Sequence, residues 1–367
     1  MSRCGSTKQE LLVLGSSSHV ALARRCGLEP RGQLAPPRLT WRSSGRALTR
    51  LVRELERDGG GRIDWCHAWT IRSAAAVASM PWGARLIAGL AVGPDRPGGQ
   101  LAGRFWNKRP GLLLASSGAV QRSYESVELD SSERRILRPA VDPRHIEHSD
   151  RAALRRRWGV DADTFTVAAL CEPSGWIDSW MAVEIVCRVA LTGRPVRLVL
   201  PSTATGLATS RRRLRALGWK DVLIVDDAAV DPWRVVAGLD AAMLVGAADH
   251  RARPVRCASP APGPLSLLRG GWCPVRPEPG VMPLLWAMAA GLPTIAERTA
   301  ASEEILGSDC CETLIAPGDL HEATRRLLEL SDDRDLAREV GDAGLAVIGE
   351  RFHIDRYVQE LLALYMS

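Results

Sequence analysis

Glu278, Gly280, Pro283 and Gly291 fall within one stretch, EPGVMPLLWAMAAGLP, running from Glu278 to Pro293. Their order suits the binding of an anion next to a hydroxylated group. Gly280 permits a sharp turn after the Glu278 carboxylate. Pro283 fits the first turn of a helix, because its ring presets φ and its missing N–H has no helical partner there. Leu284, Leu285, Met288 and Ala289 give that helix an apolar face, and Gly291 ends it. The unpaired N–H groups at the helix start, near Gly280, Val281 and Met282, then face outward, and the helix dipole adds about half a positive charge. A carboxylate beside such an anion site matches a ligand with both phosphate and hydroxyls, of which a nucleotide sugar is one. A buried helix after a loop satisfies the same pattern, and the residues alone leave both open.

The elements that would position this stretch alternate between strand and helix. Leu11 to Leu14 reads as a short buried strand, followed by a loop at Gly15 to Ser18 and a helical stretch from His19 to Cys26. Residues 29–45, rich in Pro, Arg and Gly, read as loop. Leu48, Leu51, Val52 and Leu55 put a helix over Ala47 to Arg57. Strands are expected at Ile63 to Cys66, Ala84 to Ala91 and Gly111 to Ala115, a helix at Ile71 to Met80, and an extended piece at Arg135 to Pro139. Residues 139–150 carry two prolines and few large apolar side chains, and read as a linker. A second series follows, with strands at Phe165–Leu170, Val196–Leu200, Val222–Val225, Ala241–Val245 and Thr294–Ala296. Helices are expected near 178–192, 208–217, 232–239, 319–330, 334–349 and 354–365. Strands alternating with helices argue for parallel sheets in doubly wound α/β domains. Residues 249–277 lack periodicity and exceed the ~12–15 residues usual for a structureless loop, which marks them as functional, mobile or inserted. Arg155–Arg157 and Arg211–Arg213 read as solvated helix faces, and Glu303 and Glu304 as structural residues capping a helix that starts near Ser302.

A chain of 367 residues with 46% hydrophobic and 25% charged residues has room for two cores and the composition of a soluble protein. No apolar run approaches the ~20 residues needed to span a bilayer, and Leu11–Leu14 is too short for a signal-peptide core. A cytoplasmic location is expected. Nine cysteines without C-x-x-C spacing suggest neither a disulfide framework nor a zinc site. Residues 1–150 carry 23 Lys+Arg against 14 Asp+Glu, whereas the remainder is net acidic. A basic N-terminal half suits an acidic acceptor, the inner face of a membrane or a nucleic acid, and it equally fits a compositional bias, since Lys occurs only at positions 8, 108 and 220. No nucleic-acid motif supports the last partner, and none is expected.

Glu278 followed by Ala287-Met288-Ala289-Ala290-Gly291-Leu292-Pro293 resembles the donor-site motif of family 4 (group 1) glycosyltransferases, Glu, seven residues, Glu, then Ala-Met-Ala-x-Gly-x-Pro. Asp64-Trp65-Cys66-His67-Ala68 resembles that family's Asp-x-x-His strand end. Arg138-Pro139-Ala140-Val141-Asp142 resembles its approach to the linker, and Ala316-Pro317-Gly318-Asp319 and Glu350-Arg351-Phe352 its C-terminal landmarks. The resemblance implies the GT-B fold: two Rossmann-like domains facing a cleft, here 1–140 on the acceptor side and 151–352 on the nucleotide-sugar side, joined by 141–150, with the terminal helix 353–367 returning to the first domain. It implies transfer of a sugar from a nucleotide-sugar donor to a glycan or lipid-linked acceptor, with retention and no metal or other cofactor. Glu278 and His67 would be the catalytic pair. Gly15, Ser16, Ser174, Gly175, Gly280, Val281, Met282 and Trp286 would bind the donor.

The sequence departs from the family at three places. Trp286 stands where the second Glu accepts hydrogen bonds from ribose, and an indole accepts none. Ala169 to Asp178 lacks the Arg and Lys that hold the phosphates. The His expected after the strand near Arg85–Leu90 is replaced by Gly89-Leu90-Ala91. Arg251, Arg253 and Arg256, or Arg104, Lys108 and Arg109, are candidate replacements for the lost charge. The alternative is a GT-B protein that no longer transfers sugar and serves as a glycan-binding or partner subunit.

Overall fold

The computed structural model describes residues 12–14, 24, 29–30, 32–34, 41–59, 63–69, 74, 77–78, 84–90, 106–107, 111–125, 133–146, 150–170, 179–204, 206–246, 281–307 and 313–366. The chain divides into two compact units: Met1–Arg138 with Cys257–Pro277 and Val358–Ser367, and Pro139–Arg256 with Glu278–Tyr357.

In the first unit, β1 (Leu12–Leu14) pairs in parallel with β2 (Gly32–Leu34), and α1 covers Trp41–Gly59. Both β2 and the first turns of α1 fall in the segment expected to be loop. Three residues of β2 carry no periodic signal, and their partner lies 20 positions away. Trp41 to Gly45 holds two serines and a glycine, which are weak helix formers, so this end extends a helix that the residues after it nucleate. A second sheet joins β3 (Trp65–Ala68), β4 (Arg85–Leu90), β5 (Leu112–Ala115) and β6 (Glu133–Ile136) in chain order, all parallel. β3 runs two residues later than expected, because its register is set by pairing with β4, Trp65 opposite Arg85. A short helix α2 (Gly118–Ser123) follows β5, with Ser117 Oγ accepting from Val120 N at 3.1 Å. Leu48 and Val52 of α1 pack with Leu86, Leu90, Leu113, Val120 and the fully buried Trp106. The helices expected over 19–26 and 71–80 fall largely outside the described residues, although Ala74, Val77 and Ala78 are helical and buried.

In the second unit, α3 (Arg151–Trp158) leads to β7 (Phe165–Ala169), α4 (Ser179–Ala190), β8 (Val196–Leu200), α5 (Leu207–Ala216), β9 (Leu223–Val225) and β10 (Ala241–Leu244). Then come α6 (Met282–Ala289), β11 (Thr294–Glu297), α7 (Ala300–Leu306), β12 (Leu314–Ile315), α8 (Leu320–Asp332), α9 (Arg334–Arg351) and α10 (Ile354–Met366), whose residues from Val358 onward count with the first unit. All six strands are parallel in the order β12-β11-β10-β7-β8-β9. The side chains of the other five strands are almost wholly buried and those of the edge strand β9 half-buried, as a sheet covered on both faces requires. Residues 232–239 form 3-10 turns, Pro232–Arg234 and Val236–Gly238, and not the expected helix. Gly238 there lies so close to the Trp158 ring that a Cβ would come within 2.6 Å of it. Pro139 to Ile146 is held by a bridge between Val141 and His353 and by a 3-10 turn whose first N–H, that of Arg144, is accepted by buried Asp142 at 3.1 Å.

Arg155 is not on a solvated face. It is 6% exposed and donates to Asp240 Oδ2 at 3.0 Å, to Thr166 Oγ1 at 3.2 Å and to the carbonyls of Asp161 and Thr164, each at 2.6 Å. Asp240 Oδ2 also accepts from Thr166 N at 2.7 Å. This network ties α3 to the amino edge of the sheet, where β7 and β10 begin. Among the described residues no helix is long and apolar enough to cross a membrane.

Candidate functional site

Counted within its own unit, the second sheet has the order 3-2-1-4-5-6. From its first strand, β7, the chain winds one way through β8 and β9, then crosses to β10 and winds the other way. Helices connecting outward from such a point leave a crevice at the carboxyl ends of the two central strands, where ligands of open α/β sheets bind. Those ends are Ala169–Leu170 and Leu244–Gly246, held together by Leu170 N donating to Met243 O at 2.9 Å. Gly246 has φ +80°, so the chain turns away from β10 at once. The segments leaving these two strands are 171–178, with Ser174 and Gly175, and 247–280, with Glu278 and Gly280. All four candidates lie outside the described residues, as do Gly15 and Ser16, the substitute cations at 251, 253, 256, 104, 108 and 109, and the long loop 249–277.

The 247–280 segment returns as α6, which then leads to the amino end of β11. Its start therefore lies toward the carboxyl edge of the sheet. Pro283 occupies its first turn, Val281 stands at the cap with no side-chain acceptor there, and Leu285 N bonds Val281 O at 3.1 Å. The other end closes with Gly291 at φ +66°: Gly291 N bonds Met288 O at 2.9 Å and Leu292 N bonds Ala287 O at 3.1 Å, the paired bonds of a Schellman cap. Val281, Pro283, Leu284, Leu285, Ala287 and Met288 are buried, so the helix is fixed on nearly every side. α9 holds it from outside through Gly341 and Gly344. A Cβ on Gly341 would sit 2.1 Å from Gly291 O, and one on Gly344 would sit 3.3 Å from Met288 Cγ. Met282 and Trp286 are half-buried. The Trp286 ring packs at a tilt on Trp233, with centroids 5.2 Å apart. The two indoles present ring surface and N–H donors at a position where a carboxylate would offer acceptors.

His67 belongs to the first unit, near the carboxyl end of β3. Its ring stacks on Trp69 with centroids 4.3 Å apart and 15° between planes. Its Nδ1 lies 2.9 Å from the Tyr365 hydroxyl, a hydrogen bond whose direction follows the imidazole tautomer. Burial pushes its pKa down to about 4, so the ring is neutral at pH 7. A neutral imidazole can accept or relay a proton and cannot supply standing positive charge.

No protein-family model matches the chain, and no curated protein does. Solved structures do. Anabaena HepE in complex with UDP and glucose superposes over 97% of this chain and 91% of its own, with a TM-score of 0.71 at 15% identity. A glycosyltransferase from Rickettsia africae matches over 96% and 88%, with a TM-score of 0.68 at 10% identity. Sucrose-phosphate synthase from Thermosynechococcus elongatus matches over 91% and 80%, with a TM-score of 0.65 at 12% identity. The fold is GT-B.

In this GT-B chain the described candidates are split between the units: His67 in the first, and Val281, Met282 and Trp286 in the second. Glu303 and Glu304 do not cap α7. Thr299 does, in a reciprocal box with Ser302 (Ser302 N to Thr299 Oγ1 3.1 Å, Thr299 N to Ser302 Oγ 2.8 Å), while Glu303 pairs with Arg298 at 3.0 Å. Three aromatic residues at the candidate positions escaped the sequence reading: Trp233, Trp69 and Tyr365. Trp69 had a signal, the period-two run Trp65-x-His67-x-Trp69 at a strand end. Tyr365 had none, standing 298 residues from the histidine it bonds. Among the described residues no three His, Cys, Asp or Glu side chains gather as metal ligands.

Proposed function

We propose that this protein is a glycosyltransferase that moves a sugar from a nucleotide-sugar donor to an acceptor glycan or lipid-linked saccharide, with retention at the anomeric carbon. The observation that carries the reading is the 3-2-1-4-5-6 sheet, from whose two central strands the chain continues into the stretches that contain Ser174, Gly175 and Glu278, with α6 starting toward the carboxyl edge. The neighbours add weight: HepE structures hold UDP, glucose or UDP-glucose on the same fold. Breaking the bond to the sugar places negative charge on the departing phosphate and positive charge on the sugar ring. The N–H groups near Val281 and Met282 stabilise the first, with Gly280, Ser174 and Gly175 as the further donor contacts expected from the second unit; Gly15 and Ser16 are proposed as donor contacts of the first unit. Glu278 binds the sugar hydroxyls, and Trp286 with Trp233 takes the nucleoside by its faces. His67, neutral at working pH, orients the acceptor side. The basic N-terminal half draws an acidic acceptor or the inner face of a cytoplasmic membrane, where the protein would work.

Calorimetry against UDP, GDP and ADP, alone and as nucleotide sugars, tests this directly. One nucleotide should bind, and Glu278→Ala should weaken its sugar-bearing form by about tenfold or more while leaving the bare nucleotide nearly unchanged. Absence of binding by folded protein to all three would instead favour a GT-B subunit that binds glycan without transferring it.

A further inference from the structure

β3 puts Trp65 and His67 on one face, because alternate residues of a strand share a face, and Trp69, just past its end, stacks on His67. The first two are backed by other groups. Arg85 lies over the Trp65 ring at 5.0 Å, and Tyr365 sits 6.0 Å from Trp65 and 6.3 Å edge-on from His67. His67 is pinned by its bond to Tyr365 and in turn covers one face of Trp69. Trp69 is the first residue past the carboxyl end of β3 and is 43% exposed. The neighbouring strand is bare beside it: Gly89 has no side chain, and a Cβ there would stand 3.4 Å from both His67 Nε2 and Trp69 Cα. The result is an indole immobilised from behind, with surface still open, at the carboxyl edge of a parallel sheet.

We propose that Trp69 is a stacking platform for a pyranose ring of the acceptor, so that the acceptor is a glycan. This rests on the glycosyltransferase reading and names its acceptor class. A pyranose presents a flat patch of C–H groups on one face and hydroxyls around its rim. The first suits the indole face, and the second suits its N–H. Ordering the indole in advance removes the rotamer cost of binding. The other exposed large apolar side chains described in this unit, Ile136 and Met366, are not planar. Ile136 stands on β6, three strand spacings or about 14 Å across the sheet.

Saturation-transfer NMR on the full chain tests the platform, with the methyl glycosides of glucose, galactose, mannose and N-acetylglucosamine as probes and UDP as a separate probe. At least one glycoside should receive saturation on the C–H protons of one ring face. Trp69→Ala should weaken it about tenfold, and Trp69→Phe, which keeps a stacking ring, should retain most of it. UDP binding should be equal in all three proteins, which also certifies their folding. No transfer to any glycoside, or equal transfer in wild type and Trp69→Ala, overturns the proposal. So does a Trp69→Ala loss confined to co-sedimentation with phosphatidylglycerol vesicles. UDP bound without a glycoside at Trp69 removes the platform and leaves the proposed function; a glycoside lost with Trp69 in a protein that binds no nucleotide does the reverse.

Discussion

Arg155, Arg156 and Arg157 are three identical side chains with three fates. Arg156 stays 71% exposed with only a long contact to Asp150, Arg157 reaches Asp226, and Arg155 is buried among six acceptors. Nothing local separates them, because the acid that selects Arg155, Asp240, is 85 residues away. Arg155→Met would leave Asp240 and several inward carbonyls short of donors. We expect a loss of about 3–5 kcal/mol in urea unfolding, whereas Arg156→Met should cost about 0.5 kcal/mol or less. Equal losses at the two positions would refute the assignment. His67 gives the residue scale its pH dependence. Its pKa is about 4 in the folded chain against 6.5 unfolded. Below pH 6.5 the unfolded chain takes a proton that the folded chain refuses, so this residue's contribution is intact above pH 6.5 and is lost as pH falls toward 4, by at most about 3 kcal/mol. Thermal midpoints from pH 7.5 to 4.5 should therefore fall more steeply in the wild type than in His67→Phe; parallel curves would exclude the effect.

α6 is the element most legible in the sequence, since Pro283 at its start and Gly291 at its end act through local geometry that any chain shares. Elements defined by distant partners were the ones misread. β2 is defined by its pairing with β1, and Gly238, at the end of the turns over 232–238, packs against Trp158. The buttress behind α6 was likewise illegible, because a glycine inside a helix reads only as a weak former until its neighbour is known. Three glycines of α9 test that buttress with their own control. Gly341→Ala drives a Cβ into the Gly291 carbonyl at 2.1 Å, which backbone cannot yield cheaply, and should destabilise by about 2–3 kcal/mol. Gly344→Ala is tight only against Met288 Cγ at 3.3 Å, its contacts with Met288 Cβ at 3.5 Å and Cα at 3.7 Å being ordinary, and the gain in helix propensity of about 1 kcal/mol should nearly cancel the contact. Gly349→Ala meets nothing within 4 Å and should stabilise by about 0.5–1 kcal/mol. Chemical denaturation would rank the three, and any other order would mean that α9 does not hold α6 as described.

At the scale of the whole molecule, the strand positions were largely readable and their spatial order was not. Burial of both faces makes the strands of the second unit mostly apolar runs, while the return after β9 past β7 to β10 is written in no local pattern. That crossing makes the function testable without knowing the sugar or the acceptor. If the switch point holds the nucleotide, hydrogen exchange in the presence of saturating UDP should slow in peptides covering 170–178 and 245–286, the segments leaving β7 and β10 and the start of α6. Peptides from α8 and from the carboxyl ends of β8 and β9 should be unchanged, since they lie away from the crevice although they belong to the same sheet and core. Slowing spread evenly over the second unit would indicate global stabilisation by mass action and would not locate the site. Slowing confined to the carboxyl ends of β8 and β9 would place the nucleotide off the switch point. It would also count against the proposal that Ser174, Gly175 and Glu278 bind the donor, since each follows β7 or β10 in the chain.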